Sequence, residues 1–417
     1  MWKEILVQAW TSLRRNPTRS FLTMSGIVWG IAAVTLLLAY GNGFQIVFVD
    51  LFTNFSKTCV IAFPGQTSMQ AGGERAGKKV LFEKEDLEVA KAESPVIKLI
   101  CPELVRRPKI GYEDRSFDLQ LRGVCADYGE VRTEIPIEGR WFTREDEHER
   151  RRVAFLGDWA KEKLFGGRPA IGESITIMGV RFAVIGRMDQ KMSIGNYYGP
   201  DDRAVFIPYE TMGDLFNVRY PGNVVIQPVS AQFEDLAAAQ FRTSIAKRKG
   251  FDPKDKRAIE TFGTSDMRPI IDGLTIGLKG LLLFIGSLTL AIGGIGLMNI
   301  MLVSVSERTR EIGLRRALGS TRRNVAWQFL AEAIALTFAG GVIGVALSYT
   351  FVAAMPPLPL LGEIFDDKTG KTDLRLTIQL STMVTSAIVL LIVGLVSGLI
   401  PAVRAARLDP GEALRVE

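Results

Sequence analysis

A chain of 417 residues that is 47% hydrophobic yet 23% charged looks like a mixture of two kinds of segment, which argues against a purely soluble chain. Its net charge of +6 gathers in particular loops; that suits membrane topology and not the basic stripe nucleic acid requires, so no nucleic-acid partner is expected. One histidine, His148, and three cysteines, Cys59, Cys101 and Cys125, in no zinc spacing leave metal and histidine-base chemistry without a foothold.

Residues 1–20 form a short amphipathic, basic segment carrying Lys3, Arg14, Arg15 and Arg19. Phe21 to Phe48 then runs without a charge. A bilayer crossing needs about 20 apolar residues, so a first span is predicted over 21–49. A cleaved signal peptide would have a shorter apolar core and a small-residue cleavage site, so this span reads as a retained anchor.

Residues 50–271 alternate strand-like and amphipathic runs, the pattern of a soluble α+β domain. Strands are predicted at Lys57–Phe63, Phe117–Val124, Arg152–Leu156, Ser174–Ile177, Arg181–Met188 and Ala204–Pro208, and helices at Glu83–Ala92, Gly157–Phe165 and Phe233–Lys249. Residues 117–209 read as a subdomain inserted into a unit built from the flanking pieces. All three cysteines fall in this domain, where one disulfide or three free thiols fit the sequence equally. Gly72-Gly73-Glu74-Arg75-Ala76-Gly77-Lys78-Lys79 nearly spells a phosphate loop, but Lys79 stands where a magnesium-binding hydroxyl is needed. No cofactor is therefore expected on this chain. Glu145–Glu149 beside Arg150–Arg152 is a solvated charge run. With no catalytic constellation in view, the chain reads as non-enzymatic.

Three more apolar stretches predict spans over 272–305, 325–354 and 376–403, the middle one holding Glu332 about two turns from its start. That glutamate is expected to pair with an arginine of the adjacent loop. Arginines crowd the loop 306–324 and recur at Arg404, Arg407 and Arg415 in the tail 404–417, whereas the loop 355–375 is mixed, with Glu363, Asp366, Asp367 and Asp373. By the positive-inside rule both termini and the loop 306–324 are cytoplasmic and residues 50–271 extracytoplasmic. Glycines four apart at Gly26/Gly30, Gly273/Gly277, Gly340/Gly344 and Gly394/Gly398 predict close helix packing in the bilayer. Ser306–Asn324 offers Ile312, Leu314, Ala317 and Leu318 among arginines. Two readings stand: a helix lying on anionic headgroups, or one docking in a groove of a partner protein.

The same segment, Ser306-Glu307-Arg308-Thr309-Arg310-Glu311-Ile312-Gly313-Leu314-Arg315-Arg316-Ala317-Leu318-Gly319, resembles the MacB/FtsX-like family of ABC permeases. So do Asn16-Pro17-Thr18-Arg19-Ser20, Gly293-Gly294-Ile295-Gly296-Leu297-Met298-Asn299-Ile300-Met301, Gln328-Phe329-Leu330-Ala331-Glu332-Ala333 and the tail from Pro401 to Arg415. The resemblance implies a four-helix membrane protein bearing a large extracytoplasmic α+β domain, a periplasmic core domain of a porter-like unit with an insert. It implies a homodimer in the cell inner membrane, served by a cytoplasmic ABC ATPase subunit on another chain, since the fused ATPase domain of the macrolide-exporter form is not expected here. Glu307, Arg308, Arg310, Glu311, Ile312, Leu314, Arg315 and Leu318 become the ATPase-coupling residues. Gly26, Gly30, Gly293, Gly296, Gly340, Gly344, Gly394 and Gly398 become packing residues. The implied function is mechanotransmission, for export of hydrophobic compounds or peptides with a periplasmic adaptor (membrane fusion protein) and an outer-membrane channel. Lipoprotein release and regulation of a cell-wall hydrolase are the alternatives.

Overall fold

The structure, a computed structural model, describes residues 17–56, 58–70, 76–192, 196–362, 367 and 370–413. Lys3, Arg14, Arg15, Asn16, the Gly72-Gly73-Glu74-Arg75 stretch, Glu363, Asp366 and Arg415 lie outside the described residues. In chain order, α1 (Pro17–Thr53) leads to β1 (Val60–Pro64), α2 (Lys84–Glu93), β2 (Ile97–Arg106), β3 (Lys109–Tyr112), β4 (Arg115–Asp118) and β5 (Gln120–Val124). Then come α3 (Tyr128–Val131), β6 (Pro136–Gly139), α4 (Arg144–His148), β7 (Val153–Leu156), α5 (Asp158–Phe165), β8 (Ser174–Ile177), β9 (Val180–Met188), β10 (Ala204–Pro208), α6 (Tyr209–Met212), β11 (Asn223–Pro228), α7 (Glu234–Lys249) and β12 (Ile259–Gly263). The chain ends with α8 (Thr264–Glu307), α9 (Thr309–Ala317), α10 (Arg322–Ala354), the β13 (Leu358–Pro359) and β14 (Asp373–Leu374) pair, α11 (Leu380–Ala406) and α12 (Pro410–Ala413). It divides into two units: 1–46 with 273–360 and 373–417, and 47–272 with 361–372.

The large unit is built on one mixed sheet, in the order β12-β1-β11-β2-β5-β10-β7-β9-β8-β3-β4, with β6 on β9. The β5–β10 and β7–β9 pairs are parallel. Strands β1, β2, β11 and β12, from the flanking pieces, sit together under α2 and α7 around Phe82, Phe241 and Ile245. The strands between β2 and β11 in sequence lie together beyond β2, and α5 closes their core through Leu164 and Phe165. That insert begins with the β3–β4 hairpin, earlier than Phe117, and the predicted strand Phe117–Val124 is broken at Leu119 into β4 and β5. Helices α5 and α7 stop at Gly166 and Gly250, both left-handed, a conformation that carries no Cβ penalty only in glycine. A disulfide joins Cys101 on β2 to Cys125 just past β5, while the Cys59 thiol stays free and buried beside them. Lys371 belongs to this unit, its Nζ 2.5 Å from Asp189 Oδ2.

Among the described residues, four helices are long and apolar enough to cross a membrane: α1, α8, α10 and α11. They pack through glycine, because lipid gives helices no hydrophobic reason to associate and close backbone approach must supply the attraction. A Cβ on Gly26 would lie 3.4 Å from the backbone of Gly293, and one on Gly30 would lie 2.8 Å from Leu290. Gly340 and Gly344 of α10 receive Ile27 and Ile31 of α1; Gly394 and Gly398 of α11 receive Thr337 and Ala333 of α10. Within the one chain, nothing lies within 4 Å of a Cβ placed on Gly296, Gly273 or Gly277. Gly286, Gly294 and Gly341, not singled out from sequence, do pack, against Val34, Val393 and Leu390. Buried polar groups are paired: Asn42 Nδ2 donates to Thr382 Oγ1 at 2.7 Å, and Thr35 Oγ1 to Ser386 Oγ at 3.4 Å.

Candidate coupling site

The loop 306–324 folds as one short helix held on three sides. Helix α8 ends at Glu307, and α9 restarts after a break at Arg308. Gly319, at φ +98°, turns the chain, and the Thr321 hydroxyl caps α10 by accepting from the Asn324 amide. Ile312 is 4% exposed and packs with Met301, Val305, Val325, Phe329 and Ala402. Behind α9 lies α12, whose Ala413 fills the notch at Gly313; a Cβ there would come 2.7 Å from that methyl. Arg316 Nη1 donates to the Ala406 carbonyl at 2.8 Å, satisfying an orphan acceptor at the end of α11.

Charged partners complete the brace. Arg308 Nη1 lies 3.3 Å from Glu332 Oε2, so the one carboxylate of the third apolar helix is met by the loop before it. Arg315 donates to Gln328 Oε1 at 2.8 Å and to Glu311 Oε1 at 2.6 Å. What remains outward is a stripe at helical spacing: Glu307, Arg310, Glu311, Leu314, Ala317 and Leu318. Leu314 is 54% and Leu318 80% exposed. The eight residues expected to couple therefore divide. Ile312 is corrected to a core position, because the ends of α8 and α11 and the start of α10 cover its side of the helix; Arg308 and Arg315 serve as braces, and Glu307, Arg310, Glu311, Leu314 and Leu318 face out.

A second constellation lies in the large unit, near the end of α1. Arg122, Arg132, Glu103, Glu134 and Asp201 have fully buried side chains, and Lys191 is nearly so. Arg122 and Arg132 each reach Asp201 at 2.8 Å; Lys191 reaches Glu134 at 2.7 Å and Asp201 at 2.9 Å. Tyr197 donates to Glu103, and the Arg132 guanidinium sits 3.9 Å over the ring of Phe55, two residues past α1. Burial pushes the Glu134 carboxyl up to about 7, with Lys191 only partly offsetting it. Burial would raise Asp201 too, but Arg132, Lys191 and Arg122 hold it well below the usual carboxylate range. None of the six was singled out from sequence. Arg122 stood inside a predicted strand that also carries Asp118 and Gln120, so nothing local marked it as buried.

Among the described residues no cluster of metal-ligating side chains occurs. A bundle of four apolar helices, a braced basic helix and a large α/β unit after the first helix together define an ABC transporter permease. Residues 20–243 match the MacB-like periplasmic core domain, and residues 283–410 match the FtsX-like permease C-terminal domain. The chain belongs to the MacB-like family of ABC permeases. It is 31% identical over 422 residues to a "Macrolide export ATP-binding/permease protein MacB" of Bdellovibrio bacteriovorus, covering 99% of this chain and 62% of that protein. The equally named protein of Chlorobaculum tepidum is 31% identical over 415 residues, covering 99% and 61%. The chain thus spans about three fifths of the length of these relatives. Two solved structures match about half of the chain. One is the extracellular domain of the ABC-type transporter YknZ from Gram-positive bacteria, at 19% identity and TM-score 0.41, covering 49% of this chain and 99% of that one. The other is the periplasmic region of MacB from Actinobacillus actinomycetemcomitans, at 16% and 0.43, covering 54% and 97%.

Proposed function

We propose that this chain is the permease subunit of an efflux complex of the mechanotransmission type. A separate cytoplasmic ATPase docks on α9, and nucleotide-driven movement there is passed to the extracytoplasmic unit. The observation that carries the reading is the outward Leu314/Leu318 pair on a helix whose opposite side is locked by Ile312, Gly313 and Arg316. A lipid-lying helix needs no such bracing, whereas a lever must resist the push it receives. Helix α8 is continuous from the residue after β12 to the break before α9. Its 44 residues span about 66 Å at 1.5 Å each.

The partner set follows from the same reading. Both termini and α9 are cytoplasmic, the large unit extracytoplasmic, and the membrane is the cell inner membrane. A second copy is supported by the outward face of α8. There Leu274, Leu278, Leu281, Ile285, Leu288, Ile292, Ile295 and Asn299 recur alternately four and three residues apart. That is a heptad seam with an asparagine to fix register. The cargo class is hydrophobic compounds or peptides, passed to a periplasmic adaptor and an outer-membrane channel.

The test is a tagged pull-down from native membranes in mild detergent, with partners identified by mass spectrometry. An ATPase with an adaptor supports the reading. An ATPase with a cell-wall hydrolase or a lipoprotein chaperone moves the protein to the corresponding branch. Intact permease recovered repeatedly without any ATPase overturns the proposal.

A further inference from the structure

Strand β12 ends the sheet of the large unit: β1 pairs it on one side and, among the described residues, no strand pairs it on the other. The Thr264 amide donates to the Cys59 carbonyl, and the Gly65 amide to the Ala258 carbonyl. In this antiparallel register the even-numbered residues therefore turn their backbone groups to β1, and the odd-numbered ones turn theirs outward. Two of the outward groups are already taken. The Ile259 carbonyl accepts from Arg242 Nε at 3.4 Å, and the Gly263 amide donates to Asp266 Oδ2 at 2.8 Å. Between them the amide and carbonyl of Thr261 both point off the edge, where a further strand would pair.

A groove of about 650 Å³ separates this edge from α7, whose Asp235, Ala238, Ala239 and Arg242 share one face and form its wall. Its charges are sorted along its length. At the Gly263 end, Glu234 accepts from the Thr264 hydroxyl and, at 2.6 Å, from the Ser265 amide; Asp266 is spent on Gly263 and Asp235 accepts from the Ser265 hydroxyl at 3.4 Å. Glu260 alternates onto the opposite sheet face, the one Phe262 occupies. The other end is basic, with Lys256 and Arg257 ahead of the strand. There Arg242 Nη2 donates to Thr261 Oγ1 at 3.0 Å. Arg242 is 8% exposed, and burial holds its guanidinium below the usual value with no carboxylate of the groove to offset it. A buried cation without a counter-charge is costly, and a carboxylate brought to it removes that cost.

We infer that the groove between α7 and β12 takes an extended segment of a partner protein, added to the sheet beyond β12, with an Asp or Glu side chain of that segment on Arg242. The backbone of such a segment meets the outward groups of Thr261, and its carboxylate meets the uncompensated cation. Cross-strand neighbours share a face, so the acidic residue sits opposite Thr261. This docking lies wholly within the large unit and is independent of the ATPase on α9.

The probe is a dye-labelled peptide with blocked ends, Thr-Val-Thr-Glu-Thr-Val-Thr, titrated onto the full chain in nanodiscs and read by fluorescence anisotropy. Replacing its glutamate by glutamine is expected to weaken binding to the wild-type chain by about tenfold or more. The same replacement is expected to change binding to Arg242→Gln by less than about twofold, because the charge then has no partner. Thr261→Pro removes the outward amide at a kind of sheet position where proline is tolerated. It is expected to weaken binding by about threefold or more while leaving the thermal midpoint unchanged. Equal binding of the two probes by the wild-type chain overturns the assignment, as does wild-type affinity in Thr261→Pro or the lack of any saturable binding. Oxidation of Ala239→Cys to a chain-to-chain disulfide would give the groove to a second copy and overturns it as well.

Discussion

Replacing Leu314 and Leu318 together by serine tests which side of α9 meets the ATPase. Fully burying a leucine side chain stabilises by about 1.5–3 kcal/mol. With Leu314 54% and Leu318 80% exposed, covering what is open contributes about 0.8–1.6 and about 1.2–2.4 kcal/mol respectively. The pair is then worth about 2–4 kcal/mol, or about 25-fold to 700-fold in affinity at 1.4 kcal/mol per tenfold. The assay is equilibrium binding of the ATPase recovered in the pull-down to permease in nanodiscs, by interferometry. The double variant is expected to weaken binding within that range without lowering the permease's thermal midpoint. Ile312→Ser is expected to do the reverse first, lowering the midpoint by removing a buried side chain from the core under α9. Binding within threefold of wild type for the double variant would refute the docking face. An Ile312→Ser chain of unchanged stability would refute the packing argument beneath it.

Glu134 makes the large unit's stability pH-dependent. Its folded-state value, about 7, lies above the ordinary 4.5, so between those values the folded chain holds a proton the unfolded chain has released. Its contribution is greatest at the acid end and falls as pH rises through the window, by on the order of 3 kcal/mol at most. Thermal midpoints at pH 5 and pH 7.5 are expected to differ less in Glu134→Gln than in wild type; an identical difference would remove Glu134 from the account. On the α8 seam, oxidation of Ile292→Cys is expected to give a covalent dimer, while Ile343→Cys on α10 gives none. The opposite pattern would move the dimer interface off α8.

The four spans were legible because a bilayer enforces one rule on every residue it touches, and uncharged runs of that length have few other uses. Strands β8 and β10 were legible to the residue because short β-branched and aromatic runs stand between turn signals. Strand β2 was not, because Pro102 lies in mid-strand, where a missing amide argues against a central position. The inward turn of Ile312 was also hidden. On the sequence of α9 alone, Ile312 and Leu314 are equivalent apolar residues. What separates them is the packing of Ile312 with Val325, Phe329 and Ala402, the last of them 90 residues further on, and no local pattern reports those contacts. The buried ionic cluster was hidden for the same reason: Glu103 and Asp201 are far apart in sequence and meet only once β2 and the segment before β10 are in place.

The notch at Gly313 has a consequence for anyone wishing to silence such a machine. Ala413 occupies it like a wedge driven behind a hinge plate, and the face bearing Leu314 stands where it does because the wedge is that thin. A small molecule that displaced Ala413 and propped the notch wider would tilt that face without covering any of it. It would compete with a four-residue helix of the same chain and leave the Leu314 face itself untouched.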